Sequence, residues 1–163
     1  MPVAATGTPA TKALDRAKVP HTLLPYDHDP ANTHFGEEAV RALGQDPAQV
    51  FKTLVVSCTG GPAPLVVAVV PVAQQLDLKA LAAAAGAKKA ALAEHSLAER
   101  TTGYIVGGIS PLGQKKTLPT FIDSSAQAFG TMMVSAGRRG LQVELSPADL
   151  ALITRASFAT IAR

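Results

Sequence analysis

Hydrophobic and polar positions follow one another along this chain in short runs that predict a mixed α+β fold. Over residues 50–56 the alternation puts Phe51, Thr53 and Val55 on one side of a strand and Lys52, Leu54 and Val56 on the other. Residues 65–70 read as a second strand, and Gly60-Gly61-Pro62 between the two predicts a hairpin turn. Further strands are expected over 21–26, 104–106, 119–123, 131–134 and 141–145, while 88–93 suits a strand or a helix equally. Behind the capping pair Thr8-Pro9, the apolar positions Ala10, Ala13, Leu14 and Ala17 recur at helical spacing as far as about Lys18, and Pro20 ends the run. Other helices are expected over 36–43 with Gly44 behind them, from Asp77 to about Ala85 with Gly86 as the stop, and over 94–100. Asp46-Pro47 starts one more helical turn. Ser146-Pro147-Ala148-Asp149 opens a closing helix whose buried stripe can include Leu150, Ile153, Phe158 and Ile161. Residues 1–7 are small and polar, as at a frayed end. No repeat or linker divides the chain, so residues 1–163 are expected to form a single domain.

Composition narrows the class. A chain of 163 residues that is 47% hydrophobic and 17% charged suits a globular protein with one core. Much of that apolar content is alanine, and there is no tryptophan. The net charge of +3 and pI near 9.2 favour a phosphate-bearing partner only weakly. The basic pairs Lys88-Lys89, Lys115-Lys116 and Arg138-Arg139 fit one folded patch better than a basic tail, and equally fit solvated faces. The single cysteine, Cys58, excludes an internal disulfide and reads as a small hydrophobe in a strand. His21, His28, His34 and His95 show no metal-ligand spacing, and neither a metal nor a cofactor is expected; His28 and His34 flank a loop that could border a site. With no secretory signal and no apolar run long enough to span a bilayer, the expected location is cytoplasmic, away from membranes.

Candidate chemistry gathers in three places. The stretch from Gly103 to Lys116 carries glycines at 103, 107, 108 and 113, a proline and two lysines. Its backbone can lie close to a ligand at Gly107 and Gly108, with Pro111 stiffening the far side. The same pattern also fits a wide hairpin that needs glycine for its geometry alone. Residues 135–140 form a second turn rich in glycine and arginine. The polar loop 27–36 holds Phe35, which either roofs a pocket or tucks into the core. Lys52 is the anomaly: it shares a strand face with Leu54 and Val56, so its ammonium must reach an anion, a polar ligand or, by snorkelling, water. A serine elbow, a His-Glu-x-x-His helix, paired carboxylates and a phosphate loop are all missing from the sequence. A strand lysine, a tyrosine at a strand end and glycine loops can bind an acyl ester and stabilise an oxyanion, but they supply no obvious nucleophile.

The ordered motifs Thr8-Pro9-Ala10, Tyr26-x-His28-Asp29-Pro30, Asn32-x-x-Phe35-Gly36-Glu37-Glu38, Val50-Phe51-Lys52-Thr53-Leu54, Val67-Ala68-Val69-Val70-Pro71, Gln75-Leu76-Asp77-Leu78-Lys79, Gly86-Ala87-Lys88-Lys89 and 102–113 resemble the YbaK/EbsC family. These are free-standing aminoacyl-tRNA deacylases related to the editing domain of bacterial prolyl-tRNA synthetases. The resemblance runs from about Thr8 to Arg163 and is strongest to the YbaK branch, which acts on Cys-tRNA(Pro). It implies a single α+β domain with a mixed, partly barrel-like sheet surrounded by helices. It also implies an aminoacyl-tRNA substrate and prolyl-tRNA synthetase as partner. By the same resemblance Lys52 holds the substrate near the terminal adenosine or ester. With Lys52, the pocket tyrosine Tyr26 is expected to be catalytic, and Phe35, Thr53, Gly107, Gly108, Ile109, Ser110, Pro111, Ser135 and Gln142 are expected to contact the substrate. The family supplies the missing nucleophile from the substrate, whose own cysteine thiol attacks its ester. Where some members carry an acid, this chain has Gln142, and Glu144 on the same strand face is the expected substitute.

Overall fold

The computed structural model describes residues 7–163, and the expected fraying of the N-terminus falls almost wholly outside them. Helix α1 (Pro9–Ala17) begins where Thr8 caps it, the Thr8 hydroxyl accepting from the Thr11 N–H and the Thr11 hydroxyl accepting from the Thr8 N–H in return. After it come β1 (Thr22–Pro25), α2 (Phe35–Leu43), β2 (Phe51–Thr59), β3 (Leu65–Pro71), α3 (Leu78–Ala84), β4 (Lys89–Leu92) and α4 (His95–Thr102). The chain closes with β5 (Thr120–Asp123), a short 3-10 turn, β6 (Met132–Arg138), β7 (Leu141–Leu145), α5 (Pro147–Thr154) and β8 (Ser157–Ala159).

The strands form two sheets and no closed barrel. One has the order β1-β7-β6 and is antiparallel; the other has the order β4-β2-β3-β5-β8, antiparallel through β3 and parallel beyond it. A parallel bridge between Val50 and Met133 joins them. The alternation in β2 has a direct consequence. Phe51 and Val55 face the main core together with Val67, Val69 and Ile122, against Met132, Val134, Leu141 and Val143 of the smaller sheet. Val56, Val66, Ala68 and Val70 face the other way, toward Leu81 of α3 and Ile161. Strand β3 is buried on both faces, which is why it is an unbroken apolar run.

Three sequence expectations are corrected here. Residues 104–106 form no strand: Tyr104 is buried and its hydroxyl donates to the Leu112 carbonyl at 2.6 Å, while Ile105 is 52% exposed. Apolarity in that run serves one anchor and one surface residue, not a paired strand. The closing helix stops at Thr154, because Arg155 turns left-handed (φ 58°); Phe158 leaves the expected stripe and pairs with Ile122 as part of β8. Finally, β6 runs on to Arg138 with an irregularity between Ser135 and Arg138, so the turn is confined to Arg139 and Gly140, and Ser135 is a strand residue.

A candidate active site at the open edge of one strand

Strand β2 has two halves. Its residues 56–59 pair with β4, whose last bond of the kind runs from the Ala93 N–H to the Val55 carbonyl at 3.0 Å. Before Val55 that edge is open. Main-chain groups two residues apart point the same way, so Thr53 turns its N–H and C=O toward the gap. The gap is a cavity of about 250 Å³. Its walls include Lys52, Thr53 and Leu54 of β2, Phe35 and Gly36 at the start of α2, His95 and Ala98 of α4, Val106, Gly107 and Ile109 of the glycine loop, and Ser135 and Gln142 of the smaller sheet.

Lys52 sits half-buried on this wall, and among the described residues it forms no salt bridge. Burial pushes its ammonium below the usual lysine range, with the Glu37 carboxylate working in the opposite direction. No aspartate or glutamate lines the cavity. Two further polar atoms of the wall residues, Thr53 Oγ1 and Gln142 Oε1, are buried without a hydrogen-bond partner. Gln142 also meets Tyr26, whose phenol is pushed up by burial and lowered in part by hydrogen bonds to the Gly140 backbone and the Gln142 side chain. Tyr26 is not on the wall itself but braces a residue that is.

The glycine loop is held on several sides. The Tyr104 phenol, pushed up to about 12 mainly by burial, ties its two ends through Leu112. Glu99 accepts the Val106 N–H at 2.8 Å, and Arg139 Nε donates to the Val106 carbonyl at 2.9 Å. Gly107 adopts φ +90°, and a Cβ there would lie 2.7 Å from the Phe35 ring. The ring in turn stacks against the Arg139 guanidinium, 4.6 Å from its centroid, and against His28 at 5.9 Å. His28 is fixed by Glu38, 2.7 Å from Nδ1.

Of the residues singled out from sequence, Lys52, Phe35, Thr53, Gly107, Ile109, Ser135 and Gln142 converge on the cavity. Gly108, Ser110 and Pro111 lie elsewhere. Gly108 packs against the Arg138 backbone, Ser110 is fully buried with Oγ accepting from the Leu112 N–H, and Pro111 lines a separate hollow behind the loop. Glu144 is no substitute for an acid at position 142: it accepts from the Thr131 hydroxyl and is absent from the cavity wall. His34 precedes α2 without capping it through its side chain. Cys58 lies beyond the open half of β2, and burial raises its thiol pKa, so it supplies no thiolate to the site. Sequence reading missed His95, Ala98, Glu99 and Arg139. The one available signal was the Arg138-Arg139 pair, whose role depends on a contact 33 residues back in the chain.

A cation and a cramped glycine loop share the wall of a cavity that no acid among the described residues lines. A sequence model of the aminoacyl-tRNA editing domain matches residues 28–153, and the chain belongs to that family. It is 42% identical over 156 residues, 94% of this chain and 92% of the relative, to an Enterococcus faecalis protein named "Putative Cys-tRNA(Pro)/Cys-tRNA(Cys) deacylase EbsC". The fold is shared with a crystal structure of "hypothetical protein APE2540" (TM-score 0.83, 24% identity, 95% of this chain and 99% of that one). It is shared too with a crystal structure of "a putative trans-editing enzyme for prolyl tRNA synthetase" (TM-score 0.80, 22% identity, 95% of each chain).

Proposed function

We propose that this protein is a deacylase acting in trans on Cys-tRNA(Pro), and that it releases the amino acid by using the substrate's own thiol. The observation that carries the reading is the pairing of an unbridged, half-buried Lys52 ammonium with Gly107 on the wall of one cavity that no cysteine, aspartate or glutamate among the described residues lines. The name of the E. faecalis relative points to the same substrate.

In this reading Lys52 holds the polar end of the aminoacyl ester near the terminal ribose. The Gly107 N–H, which has no hydrogen-bond partner among the described residues, faces the carbonyl oxygen where negative charge develops. Phe35 and Ile109 bound the amino-acid side chain; Thr53, Ser135 and Gln142 contribute polar contacts. The cysteine sulfur bonds to the carbonyl carbon, the bond from that carbon to the ribose oxygen breaks, and the thiol proton ends on the ribose oxygen. The products are a cyclic thiolactone and a tRNA with its terminal hydroxyl restored. Holding thiol and carbonyl together can lower the barrier by about 7–11 kcal/mol in favourable intramolecular cases. A mould and an electrostatic clamp are then sufficient. The small net charge of +3 implies weak, salt-sensitive affinity for tRNA alone, so a synthetase that presents the tRNA, here prolyl-tRNA synthetase, is the proposed partner.

The test is deacylation of Cys-tRNA(Pro) and Ser-tRNA(Pro) by wild type and Lys52→Ala, with the released product identified. Fast loss of cysteine as thiolactone, slow loss of serine and a fall of about 10²-fold or more in Lys52→Ala are expected. Equal rates on the two esters with free amino acid as product would mean that water attacks, and would remove the substrate-assisted step.

A further inference from the structure

The Val106–Gly107 peptide is trans, as is every peptide bond of the described chain. In a planar trans peptide the carbonyl and the N–H point in opposite directions. Fixing one fixes the other. The Val106 carbonyl accepts from Arg139 Nε, and Arg139 is not on the cavity wall, whereas Gly107 is. The N–H of the same peptide unit is therefore turned away from Arg139. Glu99 holds the preceding N–H, that of Val106, so the unit is pinned at its entry as well. Without those two bonds a glycine at φ +90° has other conformations open to it, since it lacks the Cβ that confines other residues.

Resting on the deacylase reading above, we propose that Arg139 is a positioning residue for ester cleavage. It sets the plane of the Val106–Gly107 peptide and so aims the Gly107 N–H at the carbonyl oxygen of the bound ester. The guanidinium has a second hold on the same point through its stack on Phe35, whose ring lies where a Cβ on Gly107 would be. Arg139 touches neither the ester nor the leaving ribose in this arrangement; it acts through the backbone. A planar group with several fixed donors can do both tasks at once, whereas a compact lysine ammonium must choose between them.

The rival role for a surface arginine in a tRNA-acting protein is a phosphate contact, and the two separate cleanly. A positioning residue acts on the chemical step. Arg139→Ala should lower kcat by about 10²-fold, the size of effect seen when one oxyanion donor is lost. KM should stay within about threefold, and the residual activity should keep the salt dependence of wild type. Arg139→Lys should recover part of the loss, and guanidinium ion added below denaturing concentrations should partly rescue Arg139→Ala. A rise in KM with kcat unchanged, or a reduced salt dependence without a kcat effect, would identify a phosphate contact and overturn the proposal.

A second arm needs no catalysis. In the nitrogen-15-labelled full chain, the Gly107 amide resonance should shift and broaden in Arg139→Ala while that of Gly60, in the distant hairpin, stays in place. An unmoved Gly107 amide would overturn the positioning role whatever the kinetics. If the wild type hydrolyses no aminoacyl-tRNA, the deacylase reading fails, and the amide measurement still judges the positioning. Should Arg139→Ala not fold, Arg139→Gln, of smaller volume change, is read in the same assays.

Discussion

The chain uses adjacent glycines in two places, and their surroundings differ. Gly60-Gly61 turns β2 into β3, and the atoms nearest a Cβ on Gly60 (φ +75°) would be those of the Lys88 side chain, from 2.9 Å. Gly107 borders the cavity with Gly108 behind it, and there a Cβ would meet the Phe35 ring at 2.7 Å from Gly107 and the Arg138 backbone at 2.7 Å from Gly108. In the hairpin Gly60 serves conformation beside a long side chain, and Gly61 serves space, since a Cβ there would lie 2.9 Å from the Ala87 Cα; neither borders the cavity. The site loop needs it for conformation and for space, among neighbours that cannot move without opening the wall. A glycine pair in a sequence reports the backbone; only its neighbours say whether chemistry depends on it.

The largest expected effect breaks that comparison directly. Gly107→Ala and Gly60→Ala both force a left-handed L-residue, at about 1–2 kcal/mol of stability. Only Gly107→Ala should also displace Phe35 and lower deacylation, by about 10²-fold if the backbone donor is lost. Comparable activity loss in the two variants would show that the loops differ less than their contacts suggest. Next in size is Lys52→Met, which should abolish most activity and leave the fold as stable or more so. The sign follows from burial. A lysine whose folded pKa lies below its unfolded value opposes folding while protonated, and the penalty fades only as pH rises through the folded pKa. Thermal melting at pH 7 should therefore give an equal or higher Tm for Lys52→Met.

A smaller change sharpens the view of how the site loop is held. Tyr104→Phe removes the bond to the Leu112 carbonyl and the one with the Ala10 backbone. A loss of about 1–2 kcal/mol is expected in urea unfolding, since a buried acceptor is left bare. Activity should fall modestly, because Arg139 and Glu99 still hold Val106.

These contacts mark the limit of what the sequence made legible. The two faces of β2, the hairpin at Gly60, strand β7 and the caps at Thr8, Asp77 and Ser146 follow from alternation and local chemistry, and the structure has them all. What failed was non-local or unmarked. No glycine or proline announces the end of α5, because Arg155 itself takes the left-handed turn. The parallel pairing of β8 with β5 joins Phe158 to Ile122, across 36 residues of chain, so no local period could show that Phe158 leaves the helix. Lys52 stood out because a charge in an apolar strand breaks a pattern. Arg139 and Glu99 break none; a polar residue in a turn or on a helix is ordinary until its partner is known.

The smallest effect tests the support behind Phe35, and here pH is the lever. The Glu38 carboxylate is pushed up by burial, but the hydrogen bonds from His28 and from the Asp29 N–H outweigh this and hold it below the usual glutamate range. A carboxylate with a depressed folded pKa adds stability that is fully present above its unfolded value of 4.5 and is lost as pH falls through the lower folded value. Glu38→Gln should therefore reduce Tm at pH 6 and flatten the fall of Tm below pH 4.5, since the variant no longer has that proton to take up. His28 stacks on Phe35, and Phe35 fills the space beside Gly107, so the same variant should loosen the site loop and leave the hairpin at Gly60 untouched. Amide hydrogen exchange reads the difference: faster exchange through residues 103–109 with no change at 59–61 is expected. Equal protection in the two regions would mean that Phe35 is held by Arg139 alone and that the His28–Glu38 pair serves only the fold of its own loop.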